Sequence, residues 1–280
     1  MFKCMIVYVS HGQKCHSIVA EDGIVVSCEV PELCADHEEA DTRMLLHANH
    51  AAKDSRNIII RSDDTDVFAI ALATADKISA TLYMMMGPSS NSPIVSVSAL
   101  SRKLGCKISA AVIGMHCFTG CDTVSTFKCK GKIKACKSMI KCEDYIEEFS
   151  KLGEQWDASG LNFKIIEKLH LNCIEKGNVT DVNEARYEIF RVTFKMDTLP
   201  PIQDALLLHK KRSNYQSGIH RRCLQTVINA PSPQEHGWQV TTNAIDIIWN
   251  ALNTAPILFS KPCIVLAKIR LYSCQMCLPC

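Results

Sequence analysis

Three short acidic runs carry the residue types best suited to chemistry: Glu38-Glu39-Ala40-Asp41, Asp63-Asp64-Thr65-Asp66 and Gly120-Cys121-Asp122-Thr123. Each follows a different kind of element. Carboxylates brought together repel one another unless a cation neutralises them, and hard oxygen donors suit Mg²⁺ or Mn²⁺. Taken singly, each run also has a plain structural reading. Glu38 and Glu39 would complement a helix dipole, and Asp64 would cap the next helix. Residues two apart on a helix point nearly opposite ways. Glu39 and Asp41 therefore converge only across an irregular first turn; otherwise Glu38 and Asp41, three apart, make the better pair.

The elements that must position these acids can be read from periodicity. MIVYV (5–9), HSIV and GIVVSCEV read as short strands around the turn-forming Glu21-Asp22-Gly23. A helix is expected from about Asp36, with Asp36 and Glu39 as a capping box and Ala40, Met44, Ala48 and Ala51 on one face. The β-branched Asn57–Arg61 predicts a strand, followed by a helix over roughly 67–77 and the apolar strand 81–86. Strand, helix and strand in alternation imply an α/β fold with a mostly parallel central sheet flanked by helices. Asp64 and Asp66 then fall just past the C-terminal end of a buried strand, where open α/β sheets place their sites.

A helix is expected over 97–104. ISAAVIGM (108–115) fits strand or helix equally on periodicity. The segments 143–152, 161–176, 181–195 and 203–226 read as amphipathic helices. The organisation expected is an α/β domain over 1–142, a helical extension over 143–230 and an irregular cysteine-containing tail over 231–280 anchored by Trp238 and Trp249.

The order of the acids resembles that of the flap-endonuclease branch of the PIN-like nucleases. That family carries an E-A-E/D step at a helix start, an E/D-D-x-D step after a strand, and a G-x-D-Y step leading into a helix–hairpin–helix. Glu39-Ala40-Asp41, Asp63-Asp64-Thr65-Asp66 and Gly120-Cys121-Asp122 match these in turn, with Phe127, Gly131, Lys132 and Ala135 at nearly the hairpin's spacing. The phrases EEADTRMLLHA, SDDTDVFAIAL, HCFTGCDTVSTF and LPPIQDALLLHKKRSNYQ are also similar to a multi-copy invertebrate group that joins such a domain to a cysteine-rich end. The resemblance spans most of residues 1–250. It implies that Glu39, Asp41, Asp64, Asp66 and Asp122 hold two Mg²⁺ or Mn²⁺ ions that activate water against a phosphodiester. Branched or single-stranded DNA ends are the implied substrate.

Two departures accompany the match. The family also uses aspartates from an N-terminal strand, which MFKCMIVYVSHG does not offer; their absence favours an impaired or silent domain, while the five later acids favour an active one. Cys129 replaces the first hairpin glycine. Two alternatives stand beside the nuclease: a catalytically silent nucleic-acid-binding relative, and a haloacid-dehalogenase-like phosphatase built on the D-x-D after IIIRSD. In the latter Phe68 stands where Thr or Val is wanted.

Lys128, Lys130, Lys132, Lys134, Lys137 and Lys141 form a basic run free of acids. It reads equally as a solvated face or as a phosphate-tracking hairpin giving sequence-independent DNA binding, chiefly through Lys128, Lys130, Lys132 and Lys134. Lys210-Lys211-Arg212 with Arg221-Arg222 reads as solvated surface, and His116 as a packed core histidine rather than a Cys-His base. The net charge of +2 and 21% charged residues exclude neither partner. No apolar run reaches the ~18 residues of a membrane span, and no secretory signal is evident, so an intracellular protein, nuclear or cytoplasmic, is expected. Its sixteen cysteines are then mostly free thiols. Cys274, Cys277 and Cys280 stand in strict C-x-x-C-x-x-C spacing and could bind zinc together with Cys263, eleven residues earlier, although metal binding is the lesser reading there.

Overall fold

The computed structural model describes residues 5–21, 24–87, 92–127, 131–193, 199–242 and 244–252. Three N-terminal strands, β1 (Ile6–His11), β2 (Lys14–Glu21) and β3 (Ile24–Glu29), form an antiparallel meander. Its connections are only two residues long, which forces hairpins rather than crossovers. Gly12, at φ +55°, takes the left-handed conformation the first turn requires. A 3₁₀ turn at Pro31–Leu33 leads to α1 (Ala40–Ala51).

The second sheet holds β4 (Asn57–Arg61), β5 (Thr81–Met85) and β6 (Ile94–Ser96) in that order. Helix α2 (Thr65–Thr74) crosses between β4 and β5 and makes them parallel. The connection 86–93 is shorter than the dozen or so residues a crossover needs, so β6 returns antiparallel. The fold is mixed α/β with small sheets. This corrects the expectation of a central, mostly parallel sheet: parallel pairing is confined to β4–β5, and the N-terminal strands form a sheet of their own.

Helix α1 also starts later than Asp36. Asp36 does not cap it; its carboxylate accepts from the Ile228 amide at 3.0 Å, and its own N–H donates to the Thr226 carbonyl. Glu39 is the extended N-cap residue. The ambiguous apolar segment is helical, within α4 (Cys106–Thr119), preceded by α3 (Val97–Leu104). Then follow α5 (Lys132–Ile140), α6 (Glu143–Lys151), α7 (Phe163–Cys173), α8 (Val182–Thr193) and α9 (Gln203–Arg221).

One apolar core runs from Leu45 and Ile60 through Ile70, Leu82 and Phe118 to Phe149 and Cys223, and so continues across residue 142. Helices α4 and α6 meet closely at Gly114, where a Cβ would collide with the Phe149 carbonyl oxygen. The region after 231 is less irregular than expected, because Trp238–Val240 (β7) pairs antiparallel with Ile245–Ile247 (β8). Trp238 is buried as an anchor, whereas Trp249 stays half exposed.

Helix α9 overturns the reading of its basic residues as solvated surface. Lys210 and Arg212 are buried, at 5% and 2% exposure. Arg212 donates to the carbonyls of Gly237 and Ile248, Lys210 to that of Ala158, and Arg221 to those of Leu152, Ala110 and Ser150. These cations spend their donors on backbone carbonyls of the surrounding helices and loops rather than on solvent. Among the described residues, no helix is long and apolar enough to cross a membrane.

Candidate functional site

Strand β4 ends at Arg61, and the chain turns at once into α2, which sets the geometry of the second acidic run. Asp64 is the N-cap, and its Oδ1 accepts the Asp66 amide at 2.8 Å. Its own amide donates to Ser62 Oγ. The capping role is therefore real, and it leaves the second carboxylate oxygen of Asp64 outside that bond. Asp63 turns aside to accept the Gly87 amide. Asp66 lies in the first turn of α2 and is buried, 5% exposed.

Asp41 approaches from the first turn of α1. Because Glu39 is extended rather than helical, Glu39 and Asp41 straddle an irregular turn. Asp41, Asp64 and Asp66 bring one carboxylate oxygen each within 4.8 Å of one another. The crowding is visible in the protonation of Asp41. Burial, then the charges of Asp64, Asp66, Glu39 and Asp122, push its carboxyl up from 3.8 to about 6.

Asp66 goes the other way. Burial would raise it, but the hydrogen bond of His116, with the Lys132 ammonium nearby, holds it below the ordinary carboxylate value. His116 Nε2 lies 2.8 Å from Asp66 Oδ1. The Lys132 ammonium is 3.2 Å from His116 Nδ1 and 3.9 Å from Asp66 Oδ1. The order of donors is then Lys132 to Nδ1, and Nε2–H to the aspartate.

Glu39 and Asp122 flank this trio. Both add their charge to Asp41, but neither belongs to the converged group. Glu39 Oε2 instead accepts from Gln216 Nε2 at 3.2 Å, with His220 Nε2 3.8 Å away. Glu38 is exposed, and Asp122 sits on an exposed turn closed by the Cys121–Val124 bridge. Asp41 thus shares its side of the site with Glu39, not with Glu38.

The basic run divides. Lys128 and Lys130, with Cys129, lie outside the described residues, as do Cys263, Cys274, Cys277 and Cys280. Lys132 faces the carboxylates rather than solvent, and Lys134 pairs with Glu175 at 2.6 Å. Lys137 and Lys141 are exposed.

Sequence reasoning missed four partners: His116 as the donor to Asp66, Lys132 as an inward cation, and Gln216 and His220 behind Glu39. His116 is buried as expected, at 4% exposure, but its ring serves a carboxylate. Its place on the last turn of α4, just ahead of the Gly120-Cys121-Asp122 step, is the available signal. Gln216 lies 177 residues from Glu39, and nothing local in the sequence joins them.

No family model, curated protein or solved structure matches this chain.

Proposed function

We propose that this chain is a divalent-metal-dependent phosphodiesterase of flap-endonuclease type, acting on branched or single-stranded DNA ends. The observation that carries the reading is the convergence of Asp41, Asp64 and Asp66 beyond the C-terminal end of β4. Adjacent oxygens on an octahedral Mg²⁺ lie about 3.0 Å apart and opposite ones about 4.2 Å, from a ~2.1 Å bond, so the three carboxylates would have to draw inward to close around Mg²⁺ or Mn²⁺. The raised Asp41 carboxyl is compatible with the same reading: burial pushes it up first, and the charges of Asp64, Asp66, Glu39 and Asp122 add to that. The donor set is all oxygen, which suits hard cations.

Asp41, Asp64 and Asp66 would hold the ion, with Glu39 and Asp122 contributing charge from the rim. Bound there, the metal would activate water and stabilise a leaving phosphate oxygen. His116 fixes Asp66 in its ionised form, and Lys132 holds the imidazole in the tautomer that does so. Lys134 and Lys137, with Lys128 and Lys130 earlier in the run, would follow the DNA backbone through phosphate contacts. The compartment this implies is nuclear or cytoplasmic.

A second reading, a catalytically silent nucleic-acid binder, is favoured by one observation. The Lys132 ammonium already supplies Asp66 with a cation at 3.9 Å, which offsets part of the charge a metal would otherwise meet.

The deciding experiment incubates the purified chain with end-labelled flap, single-stranded and duplex DNA in Mg²⁺, Mn²⁺ or EDTA. The nuclease reading expects metal-dependent cleavage of flap or single strand, abolished by Asp41→Asn with Asp64→Asn while DNA binding in EDTA persists. Binding without cleavage in either metal identifies the silent binder. Neither binding nor cleavage at low salt rejects both.

A further inference from the structure

The N-terminal meander is held to the rest of the fold at one end only. Its register sorts the side chains onto two faces. Ile6, Tyr8, Val19 and Val26 share the inner face, because Ile6 pairs with Val19 and Val19 with Val26. Val7, Val9, Ile18, Ala20 and Val25 share the outer one. The inner face turns toward α1: Ser10 Oγ lies 2.9 Å from His47 Nε2, and the Tyr8 ring meets that of His50 edge-on at 5.5 Å. Cys15, on the same face, is buried with Leu33 and Leu46. This anchorage sits near the Gly12 turn.

Beyond it both faces stay open. Ile6, Val7, Tyr8 and Val9 are 40–51% exposed, and Ile24, Val25 and Val26 are 51–68% exposed. Among the described residues, β1 and β3 are edge strands with no strand on their far sides. No charged residue interrupts 5–9 or 24–27, so the arm lacks the charges that keep exposed edges apart. Lys14 and Glu29, paired at 3.4 Å, belong to the anchored end. Beside the inner face, a groove of about 640 Å³ lies between Tyr8, Ser10, Met44, Ala48 and the edge strand β4, where Ile59 is exposed. It leaves room beneath the arm as well as above it.

The open area restricts what can cover this surface. At roughly 160 Å² for a fully exposed residue, near the lower end of the aromatic range, the seven residues and Met5 leave about 700 Å² open, shared almost equally between the faces. A stable association takes about 800 Å² from each partner, so one face supplies about half of it and both together nearly reach it. The partner must also be apolar and need no charge to match, since the arm presents none. A second arm meets each condition, and the net charge of +2 hardly opposes the meeting of two like chains.

We propose that the meander is a dimerisation arm, through which two copies of this chain clasp each other with both faces of each arm covered. Contact through one shared patch closes as a two-fold dimer. It involves no metal or DNA, so it stands or falls separately from the nuclease reading.

The test is the mass of the full chain in solution, by sedimentation equilibrium over a range of concentrations. The mass of two chains is expected, falling reversibly toward one on dilution. Val7→Lys on the outer face and Val26→Lys on the inner face should each weaken the dimer at least roughly tenfold with circular dichroism unchanged, because symmetry buries each new charge twice. Val192→Lys, at an exposed position of α8, should leave the mass as it is. Amide exchange in the wild type across 6–9 and 24–26 should slow as concentration rises, a readout that needs no variant to fold. The mass of one chain at every concentration, a mass that grows past two, or a dimer indifferent to either lysine overturns the proposal. So does amide exchange in those two segments that ignores concentration.

Discussion

Replacing Asp41 by Asn should make the metal-free protein more stable at neutral pH. Asp41 sits in the first turn of α1, facing Asp64 and Asp66, with Glu39 and Asp122 adding their charge. Its carboxyl rises from 3.8 to about 6, so the folded state prefers it protonated. Below pH 3.8 the group is neutral in both folded and unfolded chains and has no effect. As pH rises toward 6 the unfolded chain ionises first, and stability is lost; above about 6 the penalty is complete. Fully buried, such a rise corresponds to about 3 kcal/mol. Asp41 is partly solvated, and screening reduces the expectation to about 1 kcal/mol. Urea unfolding of the wild type and Asp41→Asn in EDTA should show the variant ahead by that amount at about pH 7.5, with a smaller gap at about pH 5. Adding Mn²⁺ should stabilise the wild type and not the variant. A variant no more stable than wild type near neutral pH would refute the claim that burial and the neighbouring acids disfavour an ionised Asp41.

Other residues give independent checks. His116→Ala leaves Asp66 buried with only the more distant Lys132, and unfolding measurements should show a loss of about 3 kcal/mol. Because Asp66 contributes its stability above the usual carboxylate value and loses it as pH falls, the variant's deficit should be largest near neutral pH and shrink in acid, where Asp66 is protonated in both chains. Gly114→Ala forces α4 away from α6 at the Phe149 carbonyl and should cost up to about 3 kcal/mol by thermal or urea unfolding. Lys134→Ala with Lys137→Ala should weaken DNA binding across all sequences and lower the salt slope by roughly 0.9 for each phosphate that no longer meets a lysine. A slope unchanged by the pair would assign these lysines to solvated surface.

Local signals in the sequence place much of this architecture. The strand–acid–helix passage from Asn57 to Thr74 is readable because a β-branched run ends at a strong N-cap residue, and both features act within a few residues. The four late helices are readable from periodicity, with ends moved by a few residues. The sheet topology is not, because connection length and not strand composition decides parallel against antiparallel pairing at β6 and in the N-terminal meander. Asp36 looks like a cap from its neighbours alone, because its true partner, Ile228, lies 192 residues away. The same limit applies to the site. Asp41, Asp64 and Asp66 are legible from type and spacing, whereas the inward turn of Lys132 and the burial of Arg212 depend on carboxylates and carbonyls supplied by distant segments.

The central claim is that Asp41, Asp64 and Asp66 together hold a divalent cation, and Mn²⁺ binding followed by electron paramagnetic resonance tests it most directly. Titrating the metal-free chain near neutral pH should deplete the free-Mn²⁺ signal saturably, with Mg²⁺ competing for the same site. Asp41→Asn with Asp64→Asn removes two of the three ligand charges and should weaken binding by at least roughly tenfold, since ligand charge count sets affinity at oxygen sites. A double variant that binds Mn²⁺ as tightly as the wild type, or a wild-type chain whose free-Mn²⁺ signal never falls, would contradict the account.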